Sequence, residues 1–178
     1  MTAVLETERL VLRPWAAEDD GALFGICRDA EVMRFIGDGG PWAGVERARL
    51  WLARQLASRA AHGFGKWAVV EKAGGRLVGS CGFDPASESM PEVEFGYLYA
   101  RDCWGRGYAT EAGRACMRYA FDVLKLTKVV ARVTPENTAS RRVLEKLGFE
   151  FGGLRVFAGA EEPDAFYVAR GPVTPYAD

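Results

Sequence analysis

Trp104-Gly105-Arg106-Gly107-Tyr108-Ala109-Thr110-Glu111 is the stretch whose residue types and spacing point most directly to chemistry. It stands between a strand-like run, Val93 to Tyr99, and a helix-like run. In the second run Ala112, Ala115, Cys116, Tyr119, Ala120 and Val123 recur at three- and four-residue steps. The first turn of a helix carries N–H groups without internal partners, and the helix dipole favours negative charge there. Gly105 and Gly107 carry no β-carbon and let the backbone come close to a ligand. One reading is a pyrophosphate held at Gly105 to Thr110. The competing reading is a plain turn between a strand and a helix.

Other residues could do chemistry nearby. Glu94 lies on the strand before the glycines and is the leading candidate base; its alternative is a carboxylate that only binds an arginine or a hydroxyl. Tyr97 and Tyr99 could supply hydroxyls, with pocket lining or core packing as the simpler role. Asp84, Glu88, Glu92 and Glu94 could form an acidic pocket for a cationic substrate. Glu92 and Glu94 would then point the same way, as period-two spacing allows. Phe35, Ile36 and Trp42 sit in a glycine-rich loop, where they either line a pocket or pin the loop to the core. His62 precedes Gly63 at a helix end and reads as a cap or surface residue rather than a base.

The elements that must position these residues follow in order. Glu8 to Arg13 alternates and stops at Pro14, which gives a strand near an edge. Glu18 to Cys27 is a helix with acids at its start. Asp29 to Gly44 is a loop, and Val45 to Ala61 a helix with Ala48, Trp51, Leu52, Gln55 and Leu56 on one side. Lys66 to Glu71 and Arg76 to Phe83 are strands joined at Gly74-Gly75. After the central helix come a strand at Lys128 to Val133 and a short helix at Thr138 to Leu147, stopped by Gly148. Phe149 to Phe157 and Phe166 to Val168 close the sheet, and a tail runs from Arg170 to Asp178. The strand ending at Tyr99 and the one beginning at Lys128 are joined through a helix and can lie parallel. The fold class is α+β, one layered domain over residues 1–178 with a core at about 5–168.

Composition bounds the function. The chain has 178 residues, 49% hydrophobic and 26% charged, with net charge −1 and no long basic block, which argues against nucleic acid as the main partner. No apolar run approaches membrane-spanning length, and the first residues do not read as a secretory signal, so a cytoplasmic protein without a membrane partner is expected. The four cysteines show no C-x-x-C spacing, and the one histidine cannot complete a common zinc set. No metal is expected, and the thiols read as reduced and structural.

Two stretches resemble a known family. Trp104 to Ala112 resembles the acyl-CoA pyrophosphate loop of GNAT N-acetyltransferases, and Asn137-Thr138-Ala139-Ser140-Arg141-Arg142-Val143-Leu144-Glu145-Lys146-Leu147-Gly148-Phe149 resembles its second signature. Both, with Glu8 to Pro14, look most like the RimJ/RimL branch, whose best-known members acetylate the N-termini of ribosomal proteins. The general pattern has glutamine or arginine where this chain has Trp104; this branch commonly has tryptophan there.

The resemblance implies a GNAT-like fold: a mostly antiparallel sheet with one splayed parallel pair, flanked by helices. It implies acetyl-CoA as co-substrate, bound by Leu98, Tyr99, Trp104, Gly105, Arg106, Gly107, Tyr108, Ala109, Thr110, Asn137 and Ser140. Many family members have, at the position of Leu144, a tyrosine thought to protonate the departing thiolate. In the resembled branch a serine at the position of Ser140 is the proposed proton donor or thiol partner. The catalytic set is then Glu94 and Ser140, and the candidate substrate pocket is Phe35, Trp42, Phe83 and Glu94.

The implied activity is acetyl transfer to a primary amine, on a protein N-terminus or a small molecule, by a monomer or homodimer. The amine must be neutral to attack, and an α-amine with a pKa near ~8 needs less help than a lysine near ~10.4. A non-catalytic acyl-CoA binder of the same fold is the alternative. A dinucleotide oxidoreductase fits poorly, because Thr110 stands where a third glycine is expected.

Overall fold

Alternating side chains decide which residues become strands, and one sheet collects them all. The computed structural model describes residues 5–87 and 91–171. Its strands are β1 (Leu5–Glu6), β2 (Leu10–Arg13), β3 (Lys66–Glu71), β4 (Leu77–Asp84), β5 (Glu94–Tyr99), β6 (Lys128–Val133), β7 (Glu150–Arg155) and β8 (Asp164–Arg170). They form one sheet in the order β1-β2-β3-β4-β5-β6-β8-β7. The pair β5–β6 is parallel, and the other neighbours are antiparallel. The helices are α1 (Asp20–Cys27), α2 (Ala30–Met33), α3 (Val45–His62), α4 (Tyr108–Arg118) and α5 (Thr138–Lys146).

The period of two sends alternate strand residues to opposite faces. One face buries Trp67, Val69, Cys81, Phe83, Phe95 and Tyr99 against Ala112, Cys116 and Ala120 behind the α4 start and Leu144 of α5. The other face buries Ala68 and Leu98 with Trp15, Leu23, Cys27, Trp42 and Leu52 from the α1–α3 side. A smaller cluster covers that second face at Val130 and Phe166. The result is a sheet between two helical layers, and β5 lies in its middle.

Several expected boundaries move. The strand expected from Glu8 begins at Leu10 and lies next to the edge, where Leu5–Glu6 pairs outside it; Glu8 and Arg9 form the bend between the two. The expected loop from Asp29 contains the short helix α2, whose first turn is capped by the Asp29 carboxylate accepting from the Glu31 N–H at 2.9 Å. The central helix is α-helical only to Arg118. A π-helical segment, Tyr119–Val123, continues it. There the Leu124 N–H donates to the Tyr119 carbonyl, five residues back, at 3.0 Å. That change of period turns Val123 out of the expected apolar face, to 60% exposure. Leu56, expected on the inner side of α3, is also exposed. Gly148 ends α5 as expected, at φ 84°, with its N–H donating to Glu145 and the Phe149 N–H to Leu144. Glu88 and the tail from Pro172 to Asp178 lie outside the described residues.

β5 is paired along its whole length with β4, from Glu94 opposite Asp84 to Tyr99 opposite Gly79. Its bond to β6 is a single registered pair, Glu94 with Val130, where the Val130 N–H donates to the Val93 carbonyl at 3.0 Å. Beyond it the two strands part. β4 and β5 sit tightly enough that a Cβ on Gly79 would fall 2.3 Å from the Leu98 carbonyl oxygen. Backbone cannot swing aside as a side chain can. Gly79→Ala should therefore cost at least ~2 kcal/mol in urea unfolding, more than an ordinary overpacked core site of that size.

Candidate active site

Three pieces of the sequence meet around the gap between β5 and β6: the start of α4, the start of α5 and the exposed edge of β5. Backbone groups alternate sides along a strand. The Val93 carbonyl faces β6, so the N–H groups of Tyr97 and Tyr99 face the gap. Leu98 faces the other way, with its carbonyl against β4. The expectation that Leu98 and Tyr99 together would hold a ligand is thus corrected by parity: Tyr97 and Tyr99 present backbone to the gap, and Leu98 does not. The Tyr99 carbonyl is already taken by the Trp104 indole N–H at 3.0 Å. Trp104 is spent on closing the turn, and its ring is half exposed.

α4 begins at Tyr108 behind Gly107, whose φ of 82° is the left-handed conformation that glycine adopts without a steric penalty. No side chain caps this end. The first intrahelical bond runs from the Glu111 N–H to the Gly107 carbonyl, at 3.0 Å. The N–H groups of Tyr108, Ala109 and Thr110 are left as donors.

A clamp that sequence reasoning missed fixes this turn. The Glu111 carboxylate accepts from the Thr7 hydroxyl at 2.6 Å, the Arg9 N–H at 2.9 Å and Arg9 Nε at 2.7 Å. Arg9 Nη1 donates to the Arg106 carbonyl at 2.9 Å. The guanidinium carbons of Arg9 and Arg106 each lie 4.8 Å from the Tyr108 ring centre. The Tyr108 hydroxyl donates to Glu71, which also accepts from Arg106 at 3.0 Å. The phenol's hydrogen bond, followed by the nearby arginines, holds the Glu71 carboxyl below its ordinary range despite some desolvation. The only signal for Arg9 in the sequence was its place in the Glu8 to Pro14 stretch, and nothing there tied it to Glu111, an acid in the first turn of α4.

α5 begins behind Asn137, whose Oδ1 accepts from the Ser140 N–H at 3.1 Å. Its amide nitrogen is left to donate elsewhere. Ser140 Oγ lies 2.8 Å from the Tyr97 hydroxyl oxygen, across the gap. Burial pushes the Tyr97 phenol up from its ordinary pKa, which the Ser140 hydrogen bond offsets only in part. Tyr99 is buried and points its hydroxyl at the Tyr108 carbonyl, 3.5 Å away, so its side chain is core. Leu144, one turn after Ser140, is buried.

Among the described residues of the expected acidic set, Asp84, Glu92 and Glu94 lie on the second face, each paired with a cation. Arg132 forks onto Glu94 at 2.9 and 3.2 Å, Lys128 meets Glu92 at 3.1 Å, and Lys66 meets Asp84 at 2.5 Å. Glu92 and Glu94 meet cations two turns of pleat apart on β6, and these pairs neutralise the three described acids of the expected pocket; Glu88 lies outside the described residues. Phe83 shares its face with Phe95, opposite in register, and is fully buried. It therefore lies across the sheet from Glu94 and cannot share a pocket wall with it. Trp42 packs in the core cluster around Trp15 and Leu23, with Arg47 over its ring at 5.7 Å. Phe35 is half-buried beside Arg34. The four cysteines are free and buried, and His62 is exposed. No helix among the described residues is long and apolar enough to cross a membrane.

The geometry matches a known family. The profile described as "Acetyltransferase (GNAT) domain" matches residues 9–150. The chain is 32% identical over 152 residues to the uncharacterized N-acetyltransferase p20 of Bacillus licheniformis, covering 84% of each chain. It is 30% identical to an acetyltransferase structure from Agrobacterium tumefaciens, with TM-score 0.82 over 96% of this chain and 95% of that one. The ribosomal-protein-S5-alanine acetyltransferase of Vibrio fischeri, 19% identical, shares the fold at TM-score 0.78 over 96% of this chain and 98% of that one. This chain belongs to the GNAT acetyltransferase family. It is an acetyltransferase, of a family that uses acetyl-CoA as co-substrate.

The clamp has a pH signature. Burial alone would raise the Glu111 carboxyl, but the bonds from Thr7 and Arg9 outweigh it and hold it low. A carboxyl with a depressed folded pKa contributes stability that is full above its unfolded pKa, ~4.3, and is lost as pH falls through the folded value. Glu111→Gln should cost ~1–2 kcal/mol in urea unfolding at pH 7, and that difference should shrink towards pH 3.

Proposed function

We propose that this protein moves an acetyl group from acetyl-CoA to a primary amine, by direct attack in a ternary complex. The observation that carries the reading is the single-pair join of β5 and β6, opening beside an uncapped helix start. A pantetheine arm adds to such an edge as a further strand would. In this reading the N–H groups of Tyr108, Ala109 and Thr110, with the turn at Gly105, Arg106 and Gly107, hold the pyrophosphate. Arg9 and Arg106, each paired with a carboxylate, brace the turn beside it. Asn137 Nδ2 holds the pantetheine arm, and the Tyr99 N–H steadies the oxyanion that forms on attack. Ser140 serves the departing sulfur. Trp104 shapes the turn from behind instead of donating to the ligand.

The acceptor lies on the face of Glu94. Each Glu94 oxygen keeps a lone pair beyond the Arg132 fork, which suffices to take the amine proton through a water molecule. Positioning alone is worth ~7–11 kcal/mol when both reactants are held in contact. Trp104 and Ser140 support a place in the RimJ/RimL-like branch, with a protein N-terminus or small amine as acceptor. Four unpaired thiols suit a reducing compartment such as the cytoplasm.

Thiol release from acetyl-CoA over N-terminal peptides, polyamines, amino acids and aminoglycosides tests the reading. Turnover on at least one class is expected; tight binding of acetyl-CoA with no turnover on any of them would favour a non-catalytic binder. Gly107→Val forces a β-branched residue into a left-handed backbone and should weaken acetyl-CoA binding about tenfold by calorimetry. Ser140→Ala should lower kcat ~100-fold with little change in that affinity. Glu94→Gln should lower kcat/KM at neutral pH, with the loss narrowing at high pH where the amine deprotonates unaided. A loss that stays constant with pH would confine Glu94 to its ion pair.

A further inference from the structure

Ser140 is held from two directions by residues of different elements. Its N–H is fixed by Asn137, at the α5 start. Its side chain meets Tyr97, which reaches across from β5: the phenol oxygen lies 2.8 Å from Ser140 Oγ and 3.3 Å from the Ser140 carbonyl oxygen. Tyr97 is not placed there by chance of packing alone. Its ring leans on Phe95 and Tyr99, at centroid distances of 5.6 and 6.2 Å, and leaves the hydroxyl to reach α5.

We propose that Tyr97 is a positioning residue that orients the Ser140 hydroxyl towards the departing sulfur. This rests on the acetyl-transfer reading given above. A phenol has one hydrogen to give. When Tyr97 gives it to Ser140 Oγ it occupies one lone pair, and the serine's own hydrogen must point elsewhere, into the gap. Burial keeps the phenol protonated through the neutral and mildly alkaline range, so it stays a donor wherever the amine is reactive. Leu144, buried one turn along, offers no hydroxyl for the same task.

The step balances without Tyr97 ionising. The C–N bond forms and the C–S bond breaks, with the electron pair left on sulfur. The Ser140 O–H proton passes to sulfur, the amine proton passes through water to Glu94, and after the products leave Ser140 Oγ regains a proton from solvent as Glu94 releases one to it. Tyr97 keeps its proton throughout.

A double-mutant cycle tests this with the full chain: Tyr97→Phe, Ser140→Ala and both together. Tyr97→Phe should lower kcat about tenfold, the effect of one lost hydrogen bond, while acetyl-CoA affinity by calorimetry stays within about twofold. In the Ser140→Ala background the same change should alter kcat less than about twofold, because there is no hydroxyl left to orient. Equal losses in both backgrounds, or an unchanged kcat for Tyr97→Phe alone, would overturn the proposal. A polyfluorinated tyrosine at position 97 keeps the shape and makes the phenol more acidic. It should bring an alkaline fall in kcat to lower pH, which a purely structural role would not do, and it decides the matter if Tyr97→Phe fails to fold. A wild-type protein that releases no thiol with any acceptor overturns the transferase reading and this one together. Turnover by the wild type with an additive cycle overturns this one alone.

Discussion

The structure depends on a hydrogen-bond ladder that stops early. β5 gives one side of its backbone wholly to β4, and on the other side it keeps only the pair between Glu94 and Val130. An unpaired strand edge inside a protein is costly unless something satisfies it. Here the edge opens between two helix starts, whose N–H groups also lack intrahelical partners. Unmet backbone donors are thereby gathered in one place, and an extended ligand with an anionic end can meet them all. Gly79, without a β-carbon, lets β4 lie close against Leu98 of β5.

Charge at the α4 start is balanced from a distance in sequence. Glu111 sits in the first turn, where the dipole favours it but where a free carboxylate would also repel an incoming anion. Thr7 and Arg9 absorb that carboxylate, and Arg9 also ties down the Arg106 carbonyl. The bend between β1 and β2 therefore braces the α4 start, although it lies about a hundred residues away along the chain. Tyr108, with two arginines against its ring and Glu71 at its hydroxyl, holds the outer side of the same turn.

The two faces of the sheet divide the chemistry. Tyr97 and Ser140 meet on the α4–α5 side, while Glu94, Asp84 and Glu92 stand on the other, each with its own cation. β5 lies between, with consecutive residues assigned to opposite sides. One short strand therefore sets the Tyr97 hydroxyl on one face and the Glu94 carboxylate on the other, and neither can shift by one residue without exchanging faces.

Local signals were enough for much of this. Period-two and period-3.6 patterns placed β3, β4, β5 and β6 and the cores of α1, α3, α4 and α5, and the glycines at 105, 107 and 148 marked the turns, because these depend on each residue's own conformational preference. The two motifs, read together, identified the family. What the sequence could not show were relations between residues far apart in the chain. The Arg9–Glu111 clamp, the Tyr97–Ser140 contact and the Arg132 fork on Glu94 each join different elements, and no spacing rule encodes them. Phe83 was assigned to the wrong side because sheet face follows from register with β5, and Leu98 was given a gap-facing backbone because that parity is fixed only by where β6 makes its one pair. The π-helical turn that exposes Val123 was hidden too: the sequence supplied the helix, and its period from Tyr119 on appears only in the folded chain. Residue preferences determined which segments are strand, turn and helix; only the folded chain decided which side each residue faces and what it meets there, because those follow from contacts that local preference does not contain.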